Sequence, residues 1–415
     1  MDEDNFPEPL PPVRKIEIVR SESTTACQCS VCCVEKGLLT CTSCKAVRYC
    51  GASCQRKQWK RHKSLCRLIK RKREETEASA EPLKAFKLPD DKIVNIFKEN
   101  LGILEFDGEY VGGAGIMSAY DDARMSLFDA LKKCGERNNS RIACELAAEN
   151  MLDLMVLSYK GRAMEGIREY VPGMLIAAEM DQEAYNYTRY FTLRDQVDHS
   201  LPYLHVEDQD IEEYLNKDQL YIREMVDIAL IKYKRMKRLM FDRLQVEASW
   251  KNFLMGTHPV VGKYSVVSNI RGLTPVIEKL KQFVYNGITE RIARLSRQVD
   301  ELLTDVNDQN EFVFPGILDH ETIPAINYEA PHGSLSEEEE EIDCNARDAS
   351  IISEYSGGAW IKSTLVDNYL EYFIKTGTVL DPENYDREKL IVSFGLLGLE
   401  LDLDFVQKSK INLYG

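Results

Sequence analysis

The chain has 415 residues, of which 44% are hydrophobic and 29% charged, and its formal net charge is −15. No run of about 18 apolar residues occurs, so we expect no membrane-spanning helix. The negative charge of most of the chain opposes contact with the phosphates of nucleic acid, which argues against nucleic acid as the partner.

Residues 1–26 are polar, charged and rich in proline. This composition predicts a disordered acidic/proline-rich tail. Because the segment lacks an apolar signal sequence, we expect cytoplasmic and/or nuclear localisation and reduced thiols. Nine of the 12 cysteines lie between Cys27 and Cys66. Clustered cysteines in a reducing compartment favour metal binding over disulfides.

Eight potential metal ligands follow one another in four spaced pairs. They are Cys29-x2-Cys32, Cys41-x2-Cys44, Cys50-x3-Cys54 and His62-x3-Cys66. Four ligands complete one tetrahedral zinc ion, so eight complete two and leave no position for a reactive water. The sequence therefore predicts two structural Zn²⁺ ions. Either sequential or alternate pairs could share an ion, and Cys27 and Cys33 flank the first pair.

So short a segment cannot bury a sufficient apolar core, and metal coordination must supply its folding free energy. We expect a small core between the two zinc ions. Its predicted members are Leu38, Leu39, Val47, Tyr49, Trp59 and Leu65.

The run Tyr49-Cys50-x3-Cys54-Gln55-x3-Trp59-x2-His62-Lys63-x2-Cys66 closely resembles the MYND zinc finger. The resemblance covers residues 27–66 and implies a cross-braced arrangement of ligands. The implied sets are Cys29, Cys32, Cys50 and Cys54 for one zinc ion, and Cys41, Cys44, His62 and Cys66 for the other.

MYND fingers are known as peptide-binding modules whose ligands are proline-rich segments of the Pro-x-Leu-x-Pro type. The resemblance implies that an extended peptide adds along the edge of a small zinc-held sheet. It also implies that Gln55 and Trp59 contact the peptide, with Tyr49 nearby. A purely structural core role is the alternative for Trp59.

Some MYND fingers lie within SET-domain lysine methyltransferases. Those enzymes carry an Asn-His-x-Cys-x-Pro-Asn segment, and this chain contains no Asn-His pair. The methyltransferase interpretation is therefore disfavoured.

Residues 67–85 are predicted to continue the finger's helix into a basic, charged linker. Residues 27–73 contain 13 Lys and Arg residues against one acid, Glu35. Such a basic finger could attract acidic partners or nucleic acid, or could simply be a solvated helix end. The run Lys70–Arg73 could also act as a nuclear import signal.

Residues 86–333 are predicted to form an α-helical domain. Apolar stripes over 217–256 and 275–305 predict two long helices that pair as an antiparallel hairpin. Shorter helices are predicted at 119–134, 140–158, 181–194, 349–376 and 387–399, and strands at 15–19 and 260–267. Small residues at 143, 147 and 148 suit a repeat-like scaffold, although no regular 34-residue period occurs.

Residues 334–347 predict an exposed acidic loop, and residues 348–415 a C-terminal helical segment that docks on the body. The predicted fold class is thus mainly α, with a small zinc-stabilised finger followed by an α-helical scaffold. Two other motifs are interpreted as a turn and a surface loop instead of sites: the glycine-rich run at 112–115, and His199, His205 and Asp208.

The pattern as a whole predicts a non-enzymatic adaptor that binds protein partners through the finger. The alternative is an enzyme of unknown type with its site in the helical body, which a deep pocket of convergent polar groups would favour. The tail sequence Glu8-Pro-Leu-Pro-Pro12 nearly matches the proline-rich ligand. We therefore predict that the tail occupies its own finger, the alternative being a tail without a docking site.

Overall fold

The computed structural model describes residues 29–32, 37–87, 93–95, 97, 114–138, 140–157, 170–192, 211–213, 215, 220–254, 274–325, 336–364 and 368–385. Helix predominates among these residues, which confirms the predicted mainly α class. The chain divides into two compact units, Met1–Gln209 and Asp210–Gly415. The single helical domain predicted at 86–333 therefore contributes to both units.

The first unit begins with an antiparallel hairpin of β1 (Leu39–Thr40) and β2 (Arg48–Tyr49), in which Leu39 pairs with Tyr49. Helix α1 (Ala52–Lys84) follows directly. Its buried positions recur every three, four or seven residues, which places them on one face. They include Cys54, Gln58, His62, Leu65, Ile69, Thr76 and Leu83.

The segment predicted as a linker at 67–85 is helical up to Lys84. Ile69, Thr76 and Leu83 extend the buried stripe of α1 beyond the finger, and α1 packs against the next long helix over this part. Packing of an apolar face stabilises a helix more than the intrinsic preferences of its charged residues do. A second short hairpin, β3 (Phe86–Lys87) with β4 (Ile93–Val94), comes after α1.

Among the described residues of the first unit, four more helices follow: α2 (Ala114–Asn138), α3 (Arg141–Leu157), α4 (Tyr170–Ala177) and α5 (Asp181–Thr192). Each packs against the one before it, and α2 packs against α1. Arg124 joins α2 to α3, because its guanidinium donates to Asn150 Oδ1 at 2.7 Å and to Asp153 Oδ2 at 2.9 Å. Gly135 permits the close approach of α3, since a Cβ there would collide with Cys144 Sγ.

The second unit is built on the predicted hairpin, formed by α6 (Ile222–Leu254) and α7 (Thr274–Gln309). Lys232 Nζ of α6 donates to Gln298 Oε1 of α7 at 2.7 Å. Arg235 lies one turn after Lys232 in α6, and Arg291 lies two turns before Gln298 in α7. These two arginines share the Glu212 carboxylate. Contacts that advance along one helix and retreat along the other establish that the pair is antiparallel.

The C-terminal part of the second unit packs on this hairpin. It comprises α8 (Val313–Leu318), a 3₁₀ turn (His320–Thr322), α9 (Glu337–Ile352), a π-helical stretch (Ser353–Gly357), α10 (Gly358–Thr364), α11 (Tyr369–Thr376) and a 3₁₀ turn (Pro382–Asn384). Tyr233 of α6 lies 6.0 Å from Trp360 and 4.3 Å from Tyr369, ring centre to ring centre. The helix predicted at 349–376 is therefore several helical pieces, and a left-handed residue, Asn368, precedes the last one.

The predicted acidic loop is wrong for the residues that the structure describes, since α9 begins at Glu337. Ser336 Oγ accepts from the backbone N–H of Glu339 at 3.3 Å, and the Glu339 carboxylate accepts from the N–H of Ser336 at 2.9 Å. This capping box satisfies two backbone donors, and the glutamates that follow favour the positive end of the helix. The glutamates at 339–341 are exposed, as predicted, but they are helical.

Three other predicted elements, at 15–19, 260–267 and 387–399, lie outside the described residues. Within the described part of the chain, no helix is both long and apolar enough to cross a membrane.

Candidate metal centre and the finger surface

The first ligand cluster joins the loop before β1 to the start of α1. Cys29 and Cys32 lie in the loop, Cys50 follows β2, and Cys54 belongs to the first turn of α1. The sulfur of Cys32 is 3.4 Å from that of Cys50 and 3.7 Å from that of Cys54, and Cys50 and Cys54 are 3.5 Å apart. All four sulfurs lie within 4.8 Å of one another.

The second cluster joins the turn after β1 to the next part of α1, and all four of its members are buried. Cys41 and Cys44 belong to the turn, whereas His62 and Cys66 are four residues apart and share one face of the helix. Cys41 Sγ is 3.8 Å from Cys66 Sγ, and Cys44 Sγ is 3.5 Å from His62 Nε2.

Both clusters have the dimensions of a zinc site. Tetrahedral zinc with Zn–S bonds of about 2.3 Å holds its sulfurs about 3.8 Å apart, close to the observed separations. Thiolate and imidazole are the donors that zinc prefers. The structure thus brings together alternate pairs of ligands, as the MYND resemblance implied, and the two sets are compatible with two zinc ions.

The surroundings of the ligands affect their protonation. Burial lowers the pKa of His62, which keeps the imidazole neutral and able to bind metal through Nε2. Burial raises the pKa of Cys29, but hydrogen bonds from the backbone of Cys50, Val31 and Cys32 outweigh it and lower the pKa to about 6. Burial raises the pKa of Cys44, so a bound metal ion is needed to hold this sulfur as a thiolate.

Polar contacts fix the finger to the helices of its own unit. Gln58 Nε2 donates to the carbonyl of Asn138 at 3.3 Å, and Arg61 Nη2 donates to the carbonyl of Arg137 at 2.9 Å. These carbonyls end α2, so α1 caps the C-terminus of its neighbour. Ser140 Oγ also donates to the carbonyl of Ala46 at 2.7 Å. The sequence analysis did not predict these contacts. The only indication in the sequence was that Gln58 lies on the buried face of α1.

The predicted core of the finger is right for some members and wrong for two. Val47, Tyr49 and Leu65 are buried, and Leu38 is partly buried. Leu39 is 65% exposed and Trp59 is 41% exposed. Because α1 turns the face containing Gln58 and His62 inward, Trp59 lies at the edge of that face and meets solvent.

The three predicted peptide contacts therefore differ in accessibility. Trp59 is exposed, with its ring centre 6.3 Å from that of His62. Gln55 is partly exposed and lies one turn earlier on α1. Tyr49 is 2% exposed and packs edge-on against His62 at 6.2 Å, so the structure places it in the core beneath the surface.

The other cysteines belong to neither cluster, and most residues of the other candidate motifs lie outside the described residues. Cys134 and Cys144 are buried in the first unit and Cys344 is exposed on α9. The described residues do not include Cys27, Cys33, Gly112, Gly113, His199, His205 and Asp208.

Comparison with known proteins identifies the N-terminal module. Residues 27–66 match the family model of the MYND finger. Neither a curated protein nor a solved structure matches the chain. The match therefore concerns the module alone, and the helices that follow it have no matched counterpart. At residues 27–66 the chain carries a MYND finger, a zinc-binding domain of a type that generally mediates protein–protein interactions.

Proposed function

We propose that this protein is a non-enzymatic adaptor whose MYND finger binds proline-rich peptide segments of partner proteins. The observation that carries the proposal is the exposure of Trp59, 41% of whose surface is accessible although it lies beside a buried metal ligand. A tryptophan held rigidly at a surface is the kind of residue that dominates binding energy at interfaces. The zinc site supplies that rigidity because it fixes the turn of α1 that contains His62.

The neighbouring backbone offers a second element of recognition. Both residues of β1 are exposed, and β1 pairs with β2 in a two-stranded sheet. An extended peptide could add its backbone hydrogen bonds at the edge of this sheet while an apolar side chain packs on Trp59. Gln55, partly exposed one turn from Trp59, could then hydrogen-bond to the peptide backbone.

Fluorescence anisotropy with the zinc-loaded full chain and a labelled Pro-x-Leu-x-Pro peptide tests the proposal. We expect Trp59→Ala to weaken binding at least tenfold, because the aromatic anchor is removed, and Gln55→Ala to weaken it a few-fold. Tyr372→Ala is the matched control, since Tyr372 is a similarly exposed aromatic residue on a helix of the second unit. Unchanged affinity of Trp59→Ala with intact zinc content would refute the proposed site.

The alternative, an enzyme with its site in the helical body, requires a pocket of substrate size. One cavity of the second unit lies beside the Lys232 side chain and is bounded by Leu220, Ile228 and Leu302. Its volume is about 10 Å³, which is room for roughly one water molecule. This cavity gives the enzymatic alternative no support.

A further inference from the structure

A stripe of cations extends from Trp59 along α1. Arg56, Trp59, Lys63, Arg67 and Lys70 follow one another at intervals of three or four residues and are all exposed. Residues at this spacing occupy one face of a helix. The stripe, defined by these five residues, runs for about 21 Å at a rise of about 1.5 Å per residue.

The charge of the stripe is largely uncompensated in the part of the chain that the structure describes. Arg56, Lys63 and Arg67 form no ion pair there, and Lys70 pairs with Glu74 of its own helix at 3.7 Å. Acidic residues begin at Glu74, where the helix changes from basic to acidic. The cationic surface therefore has a definite end, about three to four helical turns beyond Trp59.

We infer that this stripe recognises acidic residues that flank the apolar core of a bound peptide. The inference rests on the proposed peptide-binding function and adds the charge of the partner. Along the helix axis, Lys63 lies about 6 Å and Arg67 about 12 Å from Trp59. An extended peptide advances about 3.3 Å per residue. Its carboxylates therefore meet these cations about two and four residues from the side chain that packs on Trp59.

The same surface is less suited to nucleic acid. Binding of single strands uses several aromatic side chains on which successive bases stack, and the stripe contains one. The residues outside 27–73 carry an excess of acids that leaves the chain at −15 in total. An acidic peptide of a few residues meets the stripe locally, whereas a longer polyanion is also repelled by the rest of the chain.

The test uses the zinc-loaded full chain and two labelled peptides with the same Pro-x-Leu-x-Pro core. One core is flanked on both sides by three glutamates and the other by three glutamines. We expect the acidic peptide to bind three- to tenfold more tightly at low salt, and this advantage to shrink between 0.05 and 0.5 M salt as screening increases.

Two lysine-to-glutamate variants distinguish the effect of the stripe from the effect of the net charge of the chain. Lys63 and Lys57 are both exposed lysines of α1 without an ion pair among the described residues, but Lys57 lies two residues before Trp59 on another face. We expect Lys63→Glu to reduce the advantage of the acidic peptide to below twofold, and Lys57→Glu to leave it within twofold of the wild-type value.

Each outcome has a distinct meaning. Equal affinities for the two peptides, both lost in Trp59→Ala, would overturn the inference and leave the proposed function standing. Equal effects of Lys63→Glu and Lys57→Glu would also overturn it, because only net charge would then matter. If neither peptide binds, the proposed function fails and the inference fails with it. An oligonucleotide that displaces the acidic peptide and is itself lost in Lys63→Glu but not in Lys57→Glu would assign the stripe to nucleic acid.

Discussion

The finger and the second helical unit both bury polar groups, but they stabilise them differently. In the finger, eight thiol and imidazole ligands converge in two clusters that fit zinc. In the second unit, Lys232 is 2% exposed and donates to two backbone carbonyls and to Gln298. Asp227, equally buried, accepts a hydrogen bond from Ser356 at 2.7 Å. No candidate metal cluster occurs among the described residues of that unit.

The two parts therefore obtain their stability from different sources. A small metal-held module gains its folding free energy from coordination and is lost when ligands or metal are removed. A unit with an aromatic and aliphatic core tolerates metal removal, but it depends on satisfied hydrogen bonds at each buried charge. Perturbations directed at metal, buried charge or pH should therefore affect the two parts unequally.

Metal removal should give the largest effect. We expect two zinc ions per chain, and we expect Cys29→Ser to release zinc and unfold the finger while the second unit stays folded. In zinc-finger peptides the free energy involved is on the order of 10–16 kcal/mol. Elemental analysis gives the zinc content, and hydrogen exchange in α1 and α6 compares the two regions.

The exposed Cys344 supplies the control. Cys344→Ser should retain both zinc ions and normal exchange in α1. One zinc ion or none in wild-type protein purified without chelators would contradict the two-site arrangement. Faster exchange in α6 of Cys29→Ser would contradict the independence of the second unit.

Removal of a buried charge in the second unit should have the next largest effect. Lys232→Met leaves the carbonyls of Ile211 and Glu213 without their donor, so we expect a loss of about 3 kcal/mol in the free energy of unfolding. Zinc content should not change. Urea unfolding followed through tryptophan fluorescence measures the effect. The exposed Lys375 provides a control, since Lys375→Met should change stability by less than about 0.5 kcal/mol.

A change in pH should separate the two parts further. Burial, aided by the nearby Glu224, raises the pKa of Asp227 from 3.8 to about 7 although Ser356 donates to it. The Asp227 carboxyl group then holds its proton more tightly in the folded state than in the unfolded state. Its contribution to the free energy of unfolding is therefore lost as pH rises from about 4 to about 7. Asp227→Asn should therefore stabilise the protein by up to about 4 kcal/mol at pH 8 and by little at pH 4.

Thermal unfolding of wild type and Asp227→Asn across this pH range provides the measurement. A stability difference that is the same at pH 4 and pH 8 would show that the carboxyl group has an ordinary pKa in the folded state.

The smallest expected effect concerns the tail and the finger. The tail contains Pro9-Leu-Pro-Pro12 beside the acids Asp2, Glu3, Asp4 and Glu8, a composition that complements Trp59 and its cations. Sixteen residues separate Pro12 from Cys29, and extended chain of that length reaches at most about 55 Å. Tethering at this length raises the effective concentration to roughly millimolar. Deletion of residues 1–20 should thus strengthen binding of an external proline-rich peptide several-fold.

Titration of the external peptide into the full chain and into the deletion variant, at matched salt, tests this prediction. The Trp59→Ala substitution in the deletion variant is the control. If the deletion leaves the affinity for the external peptide unchanged, the tail does not occupy the finger.

Local patterns accounted for much of what could be predicted. The apolar stripes of α6 and α7 indicated both long helices and their pairing, because a continuous buried face repeats with the helical period. The capping box from Ser336 to Glu339 was also present in the sequence, yet the charge of the run dominated the interpretation and suggested a loop. The helix was predicted to continue beyond residue 66, but its full extent to Lys84 was underestimated for a similar reason, since charged residues conceal the widely spaced Ile69, Thr76 and Leu83.

The zinc chemistry could be predicted from the sequence, since the two ligands of each pair are only three or four positions apart and this spacing restricts how the pair can coordinate. Which face of α1 is buried depends on tertiary packing, because the end of α2 contacts Gln58 and Arg61 from more than 70 residues away. That packing is what leaves Trp59 at the surface. It likewise brings together Asp227 and Ser356, which are 129 residues apart. A side chain's exposure depends on all the elements packed around it, and no local period in the sequence encodes that.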